Sequence, residues 1–412
     1  MTGRRPITPA RLARLLAPAG ALALIAVAGR PGVSGEAPAP SAVFVLPERP
    51  DNYADPDLPA HFRTPLVRRF DNTPRDNPTT DDGATLGRVL FYDRRLSKDG
   101  TVSCGSCHVQ AHAFADPERF SKGIGGRLGD RNAMALANAR FHGRGRFFWD
   151  ERAASLEVQV LQPIEHPGEM ARDVDDAVEV VRGDAAYAPL FRKAFGDEDV
   201  TRDRLAKALA QFVRSMVSCR SKFDEGLAEA RSIADDFPNF TPGENLGKSI
   251  FLGDHERESR GNCATCHLRN YAFTQPTDRA RQSAIFMSDR LSNNGLDADL
   301  ATADNGLGDL TLDPRDYGKF KVPDLRNVEL TAPYMHDGRF RTLEEVVEHY
   351  NAQVKPHPNL DPQLREAPRR GRPGPRLMNL DAEQKAALVA FLKTLTDREF
   401  VADPKFSDPF RR

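Results

Sequence analysis

Four of the five cysteines of this 412-residue chain fall in two copies of one pattern. The first copy is Cys104-Gly105-Ser106-Cys107-His108 and the second is Cys263-Ala264-Thr265-Cys266-His267. Two thiols at this spacing can add to the two vinyl groups of a porphyrin, and the histidine that follows can reach the iron. This is the attachment signature of a c-type haem. A zinc centre would need four ligands per ion and gives no reason for a histidine directly after each pair. The pattern therefore predicts two covalent c-type haems, with Cys104, Cys107, Cys263 and Cys266 as attachment points and His108 and His267 as proximal ligands. Cys219 is left over. It lies in Gln211–Cys219, which has helical apolar spacing, and reads as a small buried residue. A redox or dimer-linking thiol is the alternative.

Each motif needs an element to present it, and a weak repeat supplies one. Leu86-Gly87-Arg88-Val89-Leu90-Phe91 ends 13 residues before Cys104, and Leu246-Gly247-Lys248-Ser249-Ile250-Phe251 ends 12 before Cys263. Each follows an N-cap candidate, Thr80 or Thr241. Each half thus begins with a helix, then a loop, then the haem motif, as a small cytochrome c domain does, with the Phe packed on the porphyrin. Ser155–Leu161, Val174–Arg182 and Arg202–Glu229 have helical apolar spacing. Asp235–Pro242 reads as a linker and Val354–Pro375 as a loop. Asp381–Leu395 reads as a closing helix with Asp381 at its N-cap. Period-two alternation is scarce. The expected fold is mainly α, with two tandem cytochrome c-like domains at 80–235 and 236–412, each holding one covalent haem, after an extended lead-in at 36–79.

Residues 1–35 differ from the rest. Arg4, Arg5, Arg11 and Arg14 precede the apolar run Leu15–Gly29, and small residues follow, which reads as a secretory signal peptide. The run is short for a bilayer span of roughly 20 residues. Export fits haem attachment, which in bacteria takes place outside the cytoplasmic membrane, so the periplasm is the expected location. Removing five arginines from a net charge of −1 leaves about −6 on the mature chain. That balance gives no reason to expect nucleic acid as a partner, and it is compatible with docking a basic electron donor.

Several further stretches carry a family. They are Gly87–Ser97, Asp130–Asn132, Arg146–Asp150, Pro163-Ile164 through Glu169-Met170, Val322–Asn327, Thr331–Gly338 and Leu388–Leu392. In this order, around two haem motifs, they resemble the bacterial di-haem cytochrome c peroxidases and their relative MauG, over roughly Thr80 to Asp397.

The resemblance implies roles. The first haem meets peroxide; the second moves or stores electrons. Glu169 falls on the family's distal acid–base residue, and Gln159 on a glutamine lining the same pocket. The loop Ser121–Gly126 matches one that in many peroxidases brings a histidine to the first haem, and here Ile124 occupies that place. The first haem is then five-coordinate as made, with His112 as a conceivable substitute ligand. The family's distal ligand to the second haem is methionine in the peroxidases and tyrosine in MauG, and the position falls on Tyr350. Met335 is the competitor, with His336 and His349 behind it. Thr342–Glu345 is a capping box starting that helix. Trp149 matches a tryptophan between the haems that relays oxidising equivalents. Asn132 by its side chain, and Thr331 and Pro333 by their carbonyls, match the ligands of one calcium ion.

The implied function is a periplasmic peroxidase. It would reduce hydrogen peroxide at the N-terminal haem with electrons from a small redox protein, relayed through the C-terminal haem. The alternative is a MauG-like oxidase of a specific protein or small molecule, working through a bis-ferryl state. Ile124 and Tyr350 favour the second chemistry. Relatives dimerise, so a homodimer is a further expectation.

Overall fold

The computed structural model describes residues 43–253, 261–268, 285–298, 304–366 and 374–411. The expected signal peptide lies outside them. The described chain is mainly helical. Five helices position the site: α1 (Asp81–Tyr92), α2 (Arg202–Ser215), α3 (Pro242–Leu252), α4 (Leu343–Glu348) and α5 (Ala382–Lys393). Their starts follow from side chains that take up free backbone N–H groups. Thr80 Oγ1 accepts from Gly83 at 3.0 Å, and Thr201 Oγ1 accepts from Arg204 at 3.2 Å. Thr241 with Glu244, Thr342 with Glu345 and Asp381 with Gln384 form capping boxes.

The internal repeat has a packing cause. α1 crosses α2 at Gly87, where an added Cβ would sit 2.0 Å from the Ala208 carbonyl oxygen. α3 crosses α5 at Gly247, where a Cβ would sit 1.9 Å from the Ala387 carbonyl oxygen. Only glycine lets the backbones approach so closely. The buried apolar residues form two clusters beside these crossings. Leu86, Val89 and Leu90 of α1 pack with Leu205, Leu209 and Phe212 of α2 in the first. Ile250 and Phe251 of α3 pack with Leu388 and Phe391 of α5 in the second.

Both ends of the chain join these clusters. The lead-in contributes Tyr53 to the first cluster, and Phe62 and Val67 to the second, through the short helices Ala60–Phe62 and Pro65–Arg68. Phe400 and Phe406 near the C-terminus return to the first cluster. Arg88 Nε donates to Ser407 O at 2.7 Å, and the Tyr92 hydroxyl donates to Phe406 O at 2.7 Å. The polar stretch 235–242 is packed too, with Phe237 and Phe240 in the second cluster.

One expected helix is divided. Arg202–Glu229 is helical only over Arg202–Ser215 and Lys222–Glu229. Side chains outbid the helix for the backbone between them. Asp397 accepts from the N–H groups of Cys219 and Arg220, both at 2.9 Å, and Asn138 Oδ1 accepts from Ser218 N at 3.0 Å. Ser221 then caps the next helix with Asp224. Cys219 is buried in this extended break, and burial pushes its thiol up to about 12. Elsewhere Val174–Arg182 is a helix as expected, Ser155–Leu161 is helical over Leu156–Gln159, and Ala188–Phe195 is a helix not anticipated. Among the described residues the extended pairing is minimal. β1 (Leu291–Ser292) runs antiparallel to β2 (Phe320–Lys321), pairing Leu291 with Lys321 and Ser292 with Phe320.

A buried ion pair ties three segments. Arg326 grips Asp224 at 2.6 and 2.8 Å, and His61 of the lead-in lies 2.8 Å from the same carboxylate. Burial alone would raise the Asp224 carboxyl, but Arg326 and His61 outweigh it and hold it well below the usual carboxylate range.

Two outcomes follow for thermal and acid unfolding. Gly247→Ala should cost about 1–3 kcal/mol, since α3 and α5 must part. Gly243→Ala, where a Cβ meets nothing within 4 Å, should stay within about 0.5 kcal/mol of wild type. Asp224→Asn should cost about 3–5 kcal/mol near neutral pH, because it strips a buried guanidinium of its partner. The depressed carboxyl lends stability that is full above an ordinary carboxylate value of about 4 and is lost as pH falls towards its folded value. Wild type should therefore lose its advantage over the variant below that pH.

Candidate functional site

Both Cys–Cys–His motifs border one continuous cavity of about 980 Å³. The first is a single helical turn, Cys104–Cys107, pinned by Ser106 Oγ accepting from Ser103 N at 3.0 Å. A Cβ on Gly105 would lie 2.5 Å from the Tyr92 ring, so α1 presses directly on this turn. His108 donates from Nδ1 to the Phe114 carbonyl at 2.8 Å, which leaves Nε2 as the free ligand atom. In the second motif Thr265 Oγ1 donates to Asn262 O at 2.8 Å, and Gly261 abuts the Ile250 carbonyl of α3. Phe91 and Phe251, the last residues of the repeat, both line the cavity, and the Phe91 ring centroid is 6.5 Å from that of His108.

The donor set fits two covalent haems. None of the four motif cysteines is engaged in a disulfide. Burial pushes Cys104 up to about 12, and Cys107 and Cys263 to about 11, so the sulfurs stay uncharged in the apolar wall. Burial pushes both imidazoles down, His267 to about 4, which keeps them neutral and able to bind a metal. Nδ1 of His267 is buried with no partner in hydrogen-bonding geometry, although the nearby Pro323 carbonyl raises its proton affinity. A buried ring with unspent polar capacity is costly unless a ligand uses it.

Beside the first motif, Gln159, Pro163, His166 and Glu169 line the cavity. Gln159 closes a helical turn begun by Ser155. The Ser121–Gly126 loop is laced to the Glu169 loop, with Ile124 N donating to Glu169 O at 2.8 Å. A Cβ on Gly123 would sit 1.9 Å from Gly168 O. The Ile124 side chain packs against the first apolar cluster. Burial raises the Glu169 carboxyl, opposed by His166, whose Nδ1 is 3.4 Å away, and by Arg152. His112 does not border the cavity; its Nδ1 faces Leu330 O at 3.1 Å.

Trp149 lines the same cavity and is held at both ends. Its Nε1 donates to Asn132 O at 2.8 Å, and its carbonyl accepts from Lys321 N at 2.7 Å. Asn132 in turn donates from its amide to Glu118 O at 2.9 Å and from its backbone to His336 O at 2.8 Å. Asn132, Thr331 and Pro333, the residues expected at a calcium ion, all border the cavity.

Beside the second motif, Tyr350, Met335 and His336 reach the cavity and His349 does not. α4 changes to a π turn over His349–Gln353, and Tyr350 sits in that turn. Burial pushes the Tyr350 phenol up to about 12, while the Asn294 amide draws it down. His336 is stacked on Phe320 at 3.8 Å and 11°. That contact covers one face of its ring.

Three cavity residues escape the sequence reading. Asn294 stands in an unremarkable Ser-Asn-Asn-Gly turn. Lys321 precedes a family motif, and burial pushes its ammonium down to about 8. Arg131 bridges Asp150 and Asp304, each at 2.6 Å. None of them has a spacing signal of its own; only the fold brings them to the site.

Comparison with known proteins agrees with this geometry. A family model described as di-haem cytochrome c peroxidase matches residues 81–232. The methylamine utilization protein MauG of Methylorubrum extorquens is 32% identical over 340 residues, covering 82% of this chain and 84% of that protein. The cytochrome c551 peroxidase of Nitrosomonas europaea is 35% identical over 272 residues, covering 66% and 73%. The crystal structure of a MauG-like protein associated with microbial copper homeostasis superposes with a TM-score of 0.66 at 35% identity, covering 86% of this chain and 99% of that one. The chain belongs to the di-haem cytochrome c peroxidase family, oxidoreductases that include MauG. Among the described residues no helix is long and apolar enough to cross a membrane.

Proposed function

We propose that the protein is an exported di-haem enzyme that consumes hydrogen peroxide beside Glu169 and exchanges electrons through a second haem. The observation that carries this is the placement of Glu169, a carboxyl raised by burial, in the wall of the cavity that His108 enters. Cys104, Cys107 and His108 would hold one haem, and Cys263, Cys266 and His267 the other, in domains at 80–235 and 236–412. When bound, the haems supply one-electron redox chemistry and an iron at which peroxide can be cleaved.

The chain's own residues do the rest. Glu169 takes the proton from the near peroxide oxygen and returns it to the departing one, which is general acid–base work. Burial raises this carboxyl, and His166 at 3.4 Å and Arg152 draw it back down. Gln159 orients the peroxide from the same wall. The Ser121–Gly126 loop contains no histidine; the resemblance puts Ile124 at the ligand's place in the sequence, and its side chain packs into the first apolar cluster. Trp149, fixed by Asn132 and Lys321, carries oxidising equivalents between the two sites. Asn132, Thr331 and Pro333 would offer oxygen atoms to a calcium ion, a hard cation that takes such donors. A small redox protein in the periplasm serves as donor.

A second reading is favoured by Tyr350. As a ligand to the second haem, its hard phenolic oxygen would favour high oxidation states, as a soft thioether would not. That suits a MauG-like oxidase of a protein or small-molecule substrate.

Glu169→Gln keeps the shape but loses the proton acceptor. Its kcat/KM for hydrogen peroxide should fall about 10²–10⁴-fold with both haems still attached; a loss under threefold would remove Glu169 from the chemistry. Tyr350→Phe should change the ferric spectrum of the second haem, and Met335→Leu should not. The opposite pattern, read by electron paramagnetic resonance, would make Met335 the ligand.

A further inference from the structure

Tyr350 does not lie on an ordinary helix. It sits where α4 widens into a π turn, an arrangement that needs outside support because it gives up the regular ladder. Asn294 supplies that support twice. Its carbonyl accepts from His349 Nε2 at 3.0 Å, which holds the neighbour of Tyr350. Its amide nitrogen lies 3.4 Å from the Tyr350 hydroxyl and 3.5 Å from Met335 Sδ. A primary amide nitrogen carries two hydrogens, one for each atom. Asn294 thus touches two of the candidate ligands in this part of the cavity, Tyr350 and Met335.

The turn bearing Asn294 is itself clamped. Asn293 Oδ1 accepts from Gly295 N at 2.9 Å, and Asn293 O accepts from Asp361 N at 2.9 Å. Gly295 O accepts from Lys355 N at 2.8 Å, just past the π turn. Gly295 has φ +70°, and a Cβ there would meet Val354 at 2.6 Å. β1 fixes the same segment from its N-terminal side. The amide is therefore delivered to the phenol by a rigid frame.

The geometry points to Asn294 as a positioning residue for the second haem: its amide donates to the phenolic oxygen of Tyr350, aims that oxygen into the cavity and limits how strongly it donates to iron. This rests on Tyr350 being the ligand of that haem. A phenolic oxygen that accepts an N–H shares its electron density between the hydrogen and the metal, so the donor weakens the preference for ferric iron. Without it the oxygen is either a stronger ligand or a mislaid one. Both change the second haem and leave the first alone.

The test uses the full di-haem protein with Asn294→Leu, near in shape but without a donor, and Asn294→Gln, which keeps the amide. Resonance Raman and electron paramagnetic resonance of the ferric form would read the tyrosine–iron signature, and potentiometry the potential of each haem. In Asn294→Leu the tyrosine–iron band should shift and the second potential fall, or the band should vanish. The first haem's signals should stay put, and Asn294→Gln should restore part of the wild-type signature. If Asn294→Leu does not incorporate both haems, Asn294→Ala takes its place. A wild-type band and potential without the amide, even with a lowered melting temperature, would overturn the proposal. Tyr350→Phe measured in parallel separates the two claims: no change there removes the ligand assignment itself, whatever Asn294 does.

Discussion

The close approach of two helix pairs sets the frame for everything else. Gly87 against Ala208 and Gly247 against Ala387 bring backbones together where any side chain would hold them apart. Such packing draws on many small contacts over a short distance. It also fixes rotation. Four residues beyond each glycine, one helical turn on, Phe91 and Phe251 face the cavity, and each motif follows within a dozen residues or so. Close-packed cores do not tolerate voids of this size unless something fills them. A cavity of about 980 Å³ is at the upper end of the roughly 300–1,000 Å³ usual for small-molecule sites. The crossing helices each lend it side chains: Phe91 of α1, Leu209 and Val213 of α2, Phe251 of α3, and Leu388 and Leu392 of α5.

The polar groups admitted to that cavity are mostly held uncharged or paired. The motif thiols are raised, the imidazoles lowered, and the Tyr350 phenol raised, all chiefly by burial. Arg131 enters with two carboxylates, and Arg326 is locked to Asp224 behind the wall. Glu169 differs. Its carboxyl is raised by burial and drawn back by His166 and Arg152. A carboxyl in the cavity wall is the kind of group that proton transfer to and from peroxide requires.

Much of this is legible in the residues. Helix starts were readable because caps are local: Thr80, Thr241, Thr342 and Asp381 each act within their own turn. The motif pairs, the Gly–Phe repeat and Glu169 are contiguous patterns, and the chain puts them in one cavity. Non-local features were not legible. The break at 216–220 depends on Asp397 and Asn138, far away in sequence. The lead-in holds to both clusters through Tyr53, Phe62 and Val67, which stand out among its polar residues only once their pockets are known. Asn294 and Lys321 carry no motif, because their importance is a matter of what β1, β2 and the π turn bring together. The π turn at Tyr350 is likewise invisible to helical periodicity.

The proposed function requires two similar motifs to hold unequal irons: the first would keep an open face beside Glu169, and the second would take Tyr350 as a ligand. It is tested most directly by electron paramagnetic resonance of the ferric protein as isolated, followed by one equivalent of peroxide without reductant. One high-spin and one low-spin haem per chain, both responding to peroxide, is the expected result. Two low-spin ferric haems would contradict it, since the face beside Glu169 would then be occupied.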